Sequence, residues 1–330
     1  MPERVPGFEA LPWPRRLRAR GLAWLQQRLG ATPGVADARA AIPPAWLGRA
    51  RRLTAPLRLG PSAGAELPLD SVFAETDSLA RPLPCAVSIL LPVYGSVELV
   101  RRCARSIVAY TPPCVELVIV DDASPANGAA ELAQLVASLP NARLYRNPRN
   151  LGFPATVNRA FGLSKGELVV LLNSDAVVTP GWLTRLCAVH DRSSVGLVGP
   201  VSNDTGDVAT IEASYRSVPE LLELCARIED QPERDVEKLS LFCALVSRAA
   251  FESVGGLDLG YGRGFFDDDD LCRALKTRGL RVVLARSAFV HHSAGGSFRR
   301  LDPQVYFAQF EVSRARFERK WRAPWRPALP

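Results

Sequence analysis

The 330-residue chain is poor in several features that define common classes of protein. Its seven cysteines are scattered, odd in number and never spaced as CxxC, which argues against a disulfide framework and a zinc knuckle. No run of 18 apolar residues occurs, so the sequence predicts no membrane-spanning helix. The first residues lack the apolar core of a signal peptide, and we therefore expect a cytoplasmic protein.

Several signatures of nucleotide binding and hydrolysis are also missing. No GxGxxG follows the first predicted strand and no GxxxxGK[ST] occurs, so the usual dinucleotide binding and P-loop chemistry lose support. The chain has no GxSxG, and its three histidines are His190 and the adjacent pair His291 and His292. These leave few candidates for a Ser-His-Asp site.

The net charge of +7 is unevenly distributed along the chain. Residues 1–60 hold 11 arginines against 3 acidic residues, and residues 299–330 hold 8 basic against 3 acidic residues, which leaves an acidic centre. Basic arms of this kind suit an anionic lipid surface, a nucleic acid or an acidic glycan. An acidic central cleft suits a metal-bound ligand better than a nucleic acid, which needs a positive lining, so we expect no nucleic-acid partner.

Both ends of the chain read as basic helical arms. Residues 1–85, rich in Pro, Ala and Arg, form a predicted extension in which Trp13, Leu17 and Trp24 share one helical face. Such a helix packs on the domain or a protein partner, or it lies on a membrane surface. Residues 299–330 read as a second amphipathic helix with a tail. We expect its apolar stripe to pack on the domain; the stripe consists of Phe307, Phe310, Phe317 and Trp321. Its basic face could add affinity for a membrane surface and consists of Arg314, Arg316, Arg319 and Lys320.

Short apolar runs alternate with helical patterns from Ala86 onwards. This alternation predicts an α/β fold with right-handed crossovers and a doubly wound, mixed but mostly parallel sheet, in a domain spanning residues 86–298. Ligands of such sheets bind at the carboxyl ends of the strands. Three predicted strand ends carry polar or aromatic groups, namely Pro92 with Tyr94, Asp121 with Asp122, and Asn173, Ser174 and Asp175.

Four consecutive aspartates, residues 267–270, follow a loop rich in glycine and aromatic residues. Acidic residues are favoured in the first turn of a helix, which explains one or two of them. Four in a row repel one another, so the run is costly unless a cation or a role in proton transfer compensates. The run alone is compatible with a solvated helix start and with a catalytic site.

Six fragments of the sequence, taken in order, carry a family resemblance. They are residues 91–94 (LPVY), 120–124 (VDDAS), 149–153 (RNLGF) with Asn158, 171–175 (LLNSD), 254–258 (VGGLD) with 267–272 (DDDDLC), and 289–292 (FVHH) with 297–298 (SF). Together they resemble the motifs of inverting nucleotide-sugar glycosyltransferases of family 2, which have the Rossmann-like GT-A fold. The chain departs from the family pattern at Asn173, where a DxD motif begins with a carboxylate, and at Asp267, where glutamate is usual.

The resemblance implies a role for each matched residue. Asp175 and His292 would bind a divalent cation, Mn²⁺ or Mg²⁺, on the leaving diphosphate. Asp268 would be the catalytic base, and Asp267 and Asp270 would bind the acceptor or support the base. The implied nucleotide-binding residues are Pro92, Tyr94, Asp121, Asp122, Asn150, Gly152, Asn158, Asn173 and Ser174.

The activity implied by the resemblance is transfer of a hexosyl or deoxyhexosyl group from a UDP-, dTDP- or GDP-sugar. The acceptor would be a hydroxyl of a glycan or a lipid-linked molecule in bacterial surface polysaccharide assembly, in the cytoplasm or at the inner face of the membrane. Two alternatives remain open. A sugar-1-phosphate nucleotidyltransferase would have a Gly-rich, Arg-containing loop where this chain has residues 92–96, and a catalytically silent relative would act as a glycan-binding or scaffold protein.

Overall fold

The computed structural model describes residues 67–68, 70–73, 83–293 and 303–326. The predicted N-terminal helix that contains Trp13 and Trp24 lies outside these residues, and so do Ser297 and Phe298. Within the described residues, no helix combines the length and the apolar character needed to cross a bilayer.

A mixed sheet of nine strands forms the centre of the described structure. Its strands are β1 Val87–Val93, β2 Glu116–Asp121, β3 Ala142–Arg146, β4 Leu168–Leu172, β5 Ala176–Val178, β6 Val195–Val201, β7 Arg234–Asp235, β8 Cys243–Ser247 and β9 Arg281–His292. The spatial order is β3-β2-β1-β4-β8-β6-β9-β5, and β7 pairs with β9. The first four strands of this order are parallel, β8 is antiparallel to both of its neighbours, and β6 is parallel to β9. The predicted mixed, mostly parallel α/β sheet is thus confirmed.

Helices cover both faces of the sheet. They are α1 Val97–Tyr110, α2 Ala126–Ala137, α3 Phe153–Leu163, α4 Trp182–His190, α5 Val218–Ile228, α6 Arg248–Ser253, α7 Asp267–Thr277 and α8 Pro303–Trp321, with a 3₁₀ turn at Leu259–Tyr261. Because side chains alternate along a strand, Ile89 and Leu91 of β1 join a core with α1, α2 and α4, whereas Leu90 joins a core with α3, α5 and α7. Burial on both faces explains why the central strands are continuous apolar runs.

Strand β9 brings the two adjacent histidines to the edge of the sheet. It runs parallel to β6 as far as Ala285, and the register then shifts before Phe289. The last three residues of β9 pair instead with β5 in antiparallel fashion, with His292 opposite Ala176. This change of partner places His292 beside the end of β4, where Asp175 lies.

Helix α8 packs on the loop that precedes the four aspartates. The Phe266 ring lies 5.2 Å from that of Phe310, 5.6 Å from that of Phe317 and 5.1 Å from that of Trp325, measured between centroids. The predicted packing of the aromatic stripe is therefore present for these rings, while Phe307 remains 45% exposed. Burial of large aromatic rings is among the strongest contributions to packing in a core of this kind.

Two basic residues of α8 do not face away from the domain as the helical pattern predicts. Arg316 pairs with Asp258 at 2.6 Å, and Lys320 pairs with Asp258 at 2.9 Å and with Asp270 at 2.6 Å. The prediction was wrong for these two residues because the surface beneath α8 is itself acidic, so the cations turn inward. Arg319 is exposed, in agreement with the pattern.

Candidate active site

The carboxyl ends of β1 and β2 are joined by backbone and side-chain hydrogen bonds. The N–H of Asp122 donates to the carbonyl of Val93 at 2.7 Å, and the N–H of Gly95 donates to Ser124 Oγ at 2.9 Å. Tyr94 between them is 49% exposed. An exposed aromatic ring at this edge of the sheet is free to stack on a planar base.

Asp122 holds the loop of residues 147–152 in place. Its carboxylate accepts hydrogen bonds from Asn147 Nδ2 at 2.7 Å, from the N–H of Leu151 at 2.8 Å and from the N–H of Gly152 at 2.9 Å. These three donors fix both carboxylate oxygens. Asp122 therefore shapes the predicted nucleotide-binding loop from beneath.

Asp121 and Asn158, both predicted to bind the nucleotide, also have structural partners. Asp121 is paired with Arg146 and accepts a hydrogen bond from the N–H of Ser124 at 2.8 Å. The amide of Asn158 donates to the carbonyl of Leu257 at 2.8 Å and accepts from its N–H at 2.9 Å. We assign both residues a positioning role, because their polar groups are engaged by the protein. Asn150, by contrast, is exposed.

Gly152 lies in close contact with the backbone of another loop. Its φ is +86°, and a Cβ at this position would stand 2.2 Å from the carbonyl oxygen of Gly262. Only glycine fits such a position. Gly152, which the resemblance assigns to nucleotide binding, thus joins its loop to the loop of residues 260–266, which leads to the four aspartates.

His292 and Asp175 form a pair at the end of β4. His292 Nε2 lies 3.3 Å from Asp175 Oδ1, and its Nδ1 lies 2.7 Å from the carbonyl oxygen of Asp204. Because a carbonyl can only accept, Nδ1 must carry a hydrogen, and Nε2 is directed at the carboxylate. The side-chain amide of Asn203 accepts from the backbone N–H of His292 at 2.8 Å and donates to its carbonyl at 2.9 Å, and so fixes the backbone that carries the ring.

The charges of this pair support each other. Burial alone would lower the pKa of His292, but the charge of Asp175 and the hydrogen bonds raise it above its usual value. Burial alone would raise the pKa of Asp175, and the neighbouring His292 lowers it instead. The pair is therefore able to persist as two charged groups in a buried place.

The donor atoms of this pair suit a divalent cation. A carboxylate and an imidazole whose second nitrogen is held by a carbonyl are a frequent ligand pair, and the imidazole favours Mn²⁺ over Mg²⁺. Across the described residues, no group of three or more His, Cys, Asp or Glu is arranged to hold a metal. The protein thus offers Asp175 and His292, flanked by half-buried Asn173 and Ser174, and the other ligands would come from phosphate oxygens or water.

His291 is a core residue, in contrast to its neighbour. It is 2% exposed, and its Nδ1 lies 2.6 Å from the hydroxyl of Tyr215. Its Nε2 lies 3.3 Å from Ser293 Oγ. Burial, with the charge of Arg102 nearby, lowers the pKa of His291 to about 3. A neutral imidazole with both nitrogens engaged holds the end of β9 in place.

Asp270 is fully occupied by structural contacts. It is 4% exposed and accepts hydrogen bonds from the Tyr261 hydroxyl at 3.1 Å, from Trp321 Nε1 at 2.8 Å and from Lys320 Nζ at 2.6 Å. The sequence predicted that Asp270 binds the acceptor or supports the base. Both carboxylate oxygens of Asp270 are engaged by these donors, two of which belong to α8, so Asp270 anchors that helix.

Asp269 and Asp268 share one cation. Lys238 Nζ lies 2.6 Å from Asp269 Oδ2 and 3.4 Å from Asp268 Oδ2. The other oxygen of Asp269 accepts from Trp325 Nε1 at 2.8 Å, whereas Asp268 accepts from the N–H of Asp269 at 2.9 Å. The side chain of Asp268 is 22% exposed, compared with 10% for Asp269. Asp268 is therefore the more open carboxylate of the two.

Two of the aspartates hold their protons unusually tightly. Burial, opposed by Lys238 and reinforced by the neighbouring carboxylates, raises the pKa of Asp268 to about 8. Burial also raises the pKa of Asp267 to about 6, again with Lys238 opposing and Asp269 reinforcing the shift. A carboxylate with a pKa near the working pH is the kind of group that exchanges protons with a ligand.

The backbone before the four aspartates is strained. Phe265 and Phe266 both have a φ of +67°, in the left-handed region that residues with a side chain rarely adopt. Such positions cost about 1–3 kcal/mol each and persist only where packing enforces them. The aromatic rings of α8 provide that packing, so the direction in which α7 begins is set by α8.

Two site residues, Lys238 and Trp325, were not selected by the sequence analysis. Lys238 lies between β7 and β8, in a stretch without a recognisable motif, and Trp325 follows α8. A signal was nevertheless present, because four adjacent carboxylates require cations or hydrogen-bond donors from elsewhere in the chain.

Comparison with known proteins relates this geometry to a family. The sequence model of glycosyl transferase family 2 matches residues 88–255, which is half of the chain. The match contains the strand ends with Asp122 and Asp175, and it ends before the four aspartates.

Two curated relatives cover most of the chain. The N-acetylglucosaminyl-diphospho-decaprenol L-rhamnosyltransferase of Mycobacterium tuberculosis is 28% identical over 282 residues, which cover 73% of this chain and 89% of the relative. The O-antigen biosynthesis protein RfbC of Myxococcus xanthus is 28% identical over 256 residues, covering 72% of this chain and 19% of the relative. The chain spans less than half the length of several curated relatives that it matches, with 27%, 40% and 19% in three cases.

The fold also resembles that of solved glycosyltransferases. The mannosyltransferase PcManGT from Pyrobaculum calidifontis, solved with GDP-Man and Mn²⁺, superposes with a TM-score of 0.52 at 18% identity. The superposition covers 88% of this chain and 75% of the mannosyltransferase. The predicted GT-A fold is therefore confirmed.

Proposed function

The chain belongs to glycosyl transferase family 2, and on that basis we propose that it is a metal-dependent, inverting glycosyltransferase. It would move a hexosyl or deoxyhexosyl group from a nucleoside diphosphate sugar to a hydroxyl of a glycan or lipid-linked acceptor. The observation that carries this proposal is that one short segment, residues 238–242, contacts both halves of the site. Lys238 pairs with Asp268, and the Phe242 ring lies 4.9 Å from that of His292.

The proposed metal-binding half of the site, formed by Asp175 and His292, would stabilise the leaving diphosphate. A divalent cation bound by Asp175 and His292 would neutralise the charge that develops on the departing diphosphate. The Phe242 ring packs on the His292 ring. The backbone carbonyl of Phe242 accepts a hydrogen bond from the N–H of Asn173 at 2.7 Å. These contacts hold the two ligand-bearing strands in register.

Asp268 is the proposed base. It accepts the proton of the acceptor hydroxyl while the hydroxyl oxygen bonds to the anomeric carbon, and the bond from that carbon to the phosphate oxygen breaks. The products are the glycoside, the nucleoside diphosphate and protonated Asp268. Attack opposite the leaving group inverts the anomeric configuration. Asp267 and the strained residues before it shape the acceptor side.

The nucleotide half is formed by the ends of β1 and β2. Tyr94 would stack on the base beside Pro92, and the 147–152 loop, fixed by Asp122, would lie along the nucleotide. Several donors remain candidates, because the rhamnosyltransferase relative and the GDP-Man-bound neighbour differ in their sugars. We propose a UDP-, dTDP- or GDP-sugar as donor and surface polysaccharide assembly, in the cytoplasm or at the inner face of the membrane, as the setting.

The test is a panel of UDP-glucose, UDP-N-acetylglucosamine, dTDP-rhamnose and GDP-mannose with Mn²⁺ or with a chelator. We expect metal-dependent release of nucleoside diphosphate from one of these donors by the wild type and by Asp230→Asn, which alters an exposed aspartate. Asp175→Asn and Asp268→Asn should each lower this rate at least 100-fold, the usual order for loss of a catalytic proton acceptor.

Three results would contradict the proposal. One is full activity of both site variants, and another is a wild type that binds none of the nucleotides in the presence of metal. The third is release of pyrophosphate from a nucleoside triphosphate and a sugar 1-phosphate, which would identify a nucleotidyltransferase.

A further inference from the structure

Lys238 contacts Asp268 and Asp269, the two carboxylates in the middle of the acidic run. Its side chain is only 21% exposed, and it lies in the segment that joins β7 to β8. Among the ion pairs of the described residues, those of Asp268 and Asp269 are made with Lys238 alone. The Lys238 ammonium therefore lies between two carboxylates, one of which, Asp268, is the proposed base.

The position of this ammonium is fixed by Asp269. The short 2.6 Å contact is to Asp269 Oδ2, and the other oxygen of Asp269 is held by Trp325 Nε1 at 2.8 Å. With both of its oxygens engaged, Asp269 cannot turn. Lys238 is therefore held 3.4 Å from Asp268 Oδ2, close enough to orient that carboxylate without fully occupying it.

The surroundings of Lys238 are acidic on more than one side. Asp267, Asp268 and Asp269 face it from α7, and Asp207 faces it from the loop after β6. Asp207 is itself tied to the backbone N–H of Ser240 at 2.8 Å. The thiol of Cys272 also lies close to these charges, and it accepts the N–H of Leu239 at 3.4 Å.

We infer that Lys238 is a positioning residue for the proposed transfer: anchored on Asp269, its ammonium orients Asp268 and favours the ionised carboxylate that accepts the acceptor proton. This inference rests on the proposed function and adds to it a residue that belongs to none of the six sequence fragments that carry the family resemblance. It also explains Asp269, whose purpose is to hold the lysine.

The electrostatic sign supports the inference. Burial and the carboxylates of Asp267 and Asp269 favour protonated Asp268, and Lys238 is the charge that opposes them. Removal of Lys238 should therefore raise the pKa of Asp268 further. Asp269→Asn should lower it, because a like charge disappears while the carbonyl oxygen of the new side chain can still accept from the Lys238 ammonium and keep it near Asp268.

The experiment compares pH profiles of kcat/KM for the full-length chain with the donor that the wild type turns over in the panel above. The variants are Lys238→Met, Lys238→Arg and Asp269→Asn. Lys276→Met is the matched control, because Lys276 pairs with Glu237 at 2.7 Å and not with the aspartates of α7. Binding of UDP or GDP with Mn²⁺ is measured alongside by calorimetry.

We expect Lys238→Met to move the acidic limb of the profile upward by about one pH unit. At pH 7 this lowers kcat/KM about tenfold, since the ionised fraction falls about tenfold per unit below the pKa. Lys238→Arg should restore most of the rate, and Asp269→Asn should move the limb downward. Nucleotide binding and the Lys276→Met profile should stay within twofold of the wild type.

An unchanged limb in folded Lys238→Met would overturn the inference while the proposed function stood. If Lys238→Met does not fold, an Asp269→Asn limb that stays in place or moves upward overturns it equally. A wild type that turns over none of the donors contradicts the proposed function instead. The two failures are thus distinguishable.

Discussion

Gly152 and Gly262 meet backbone to backbone, so closely that a Cβ on Gly152 would stand 2.2 Å from the carbonyl oxygen of Gly262. This contact joins the loop held by Asp122 to the loop that leads into α7. The proposed nucleotide and acceptor sides are therefore in direct backbone contact.

Gly152→Ala should accordingly damage the site. The new methyl group cannot occupy this space, and alanine is strained at a φ of +86°, so we expect a loss of roughly 1–3 kcal/mol in unfolding free energy. Donor turnover should fall as well. Gly162→Ala in α3, where nothing lies within 4 Å of a new Cβ, serves as control and should be neutral or slightly stabilising. Denaturant unfolding that shows equal stability for both variants would refute this reading of the contact.

The Asp175–His292 pair predicts how stability responds to metal. With Mn²⁺ and UDP or GDP at 100 times their Kd, the unfolding temperature of the wild type should rise by roughly 5–10 °C. Asp175→Asn and His292→Ala should abolish this rise, because each removes one of the two proposed protein ligands. His190→Gln, which alters a histidine at the end of α4, should retain it. Differential scanning fluorimetry provides the measurement. A full rise in unfolding temperature for His292→Ala would contradict the proposed role of this histidine as a metal ligand.

Replacement of Asp268 by a neutral side chain should raise the stability of the protein and abolish its activity. Its pKa is raised in the folded state, so its protonated form stabilises the fold and this contribution is lost as pH rises from about 4 through 8. Asp268→Asn mimics the neutral form. In metal-free buffer at pH 8 it should be more stable than the wild type by roughly 1–3 kcal/mol, with little difference near pH 4, while transfer is lost. Urea unfolding at both pH values checks the sign, and a destabilised variant at pH 8 would contradict it.

The contribution of Asp258 to stability should depend on pH in the opposite direction. Burial would raise its pKa, but Lys320, the N–H of Gly260 and Arg316 lower it, so its stabilising contribution is present above pH 4 and lost as pH falls through the lowered value. Asp258→Asn should cost roughly 1–2 kcal/mol at pH 7, a typical value for hydrogen bonds to a charged group. The difference from the wild type should shrink progressively as pH falls below about 4. A constant difference across this range would mean that the cost is steric.

The strands and the order of the site motifs could be predicted from the sequence for a physical reason. Strands such as β1 and β4 are buried on both faces and therefore appear as uninterrupted apolar runs. Asp122 and Asp175 follow such runs directly, so their place at one edge of the sheet follows from the parallel arrangement. The family resemblance then supplied the link between Asp175 and His292, which lie far apart in the chain.

The partners of the four aspartates could not be predicted in this way. Asp270 binds Lys320 and Trp321, and Asp269 binds Lys238, through contacts that depend on how distant elements fold over α7. The periodicity of a helix predicts which side chains share one face of the helix. It does not predict whether the surface that packs against that face is apolar or charged. The antiparallel insertion of β8 escaped prediction for a related reason, since strand direction depends on long-range pairing.

Helix α8 has a consequence for the newly made chain. On the ribosome, residues 83–293 emerge before residues 303–326, and domains fold as they emerge. Until residues 303–326 have emerged, Asp269 and Asp270 lack their indole donors, Asp270 lacks the Lys320 ammonium, and Phe266 lacks its ring contact with Trp325. A nascent chain can therefore form its sheet before the proposed base and its neighbouring carboxylates acquire the contacts that α8 and Trp325 supply.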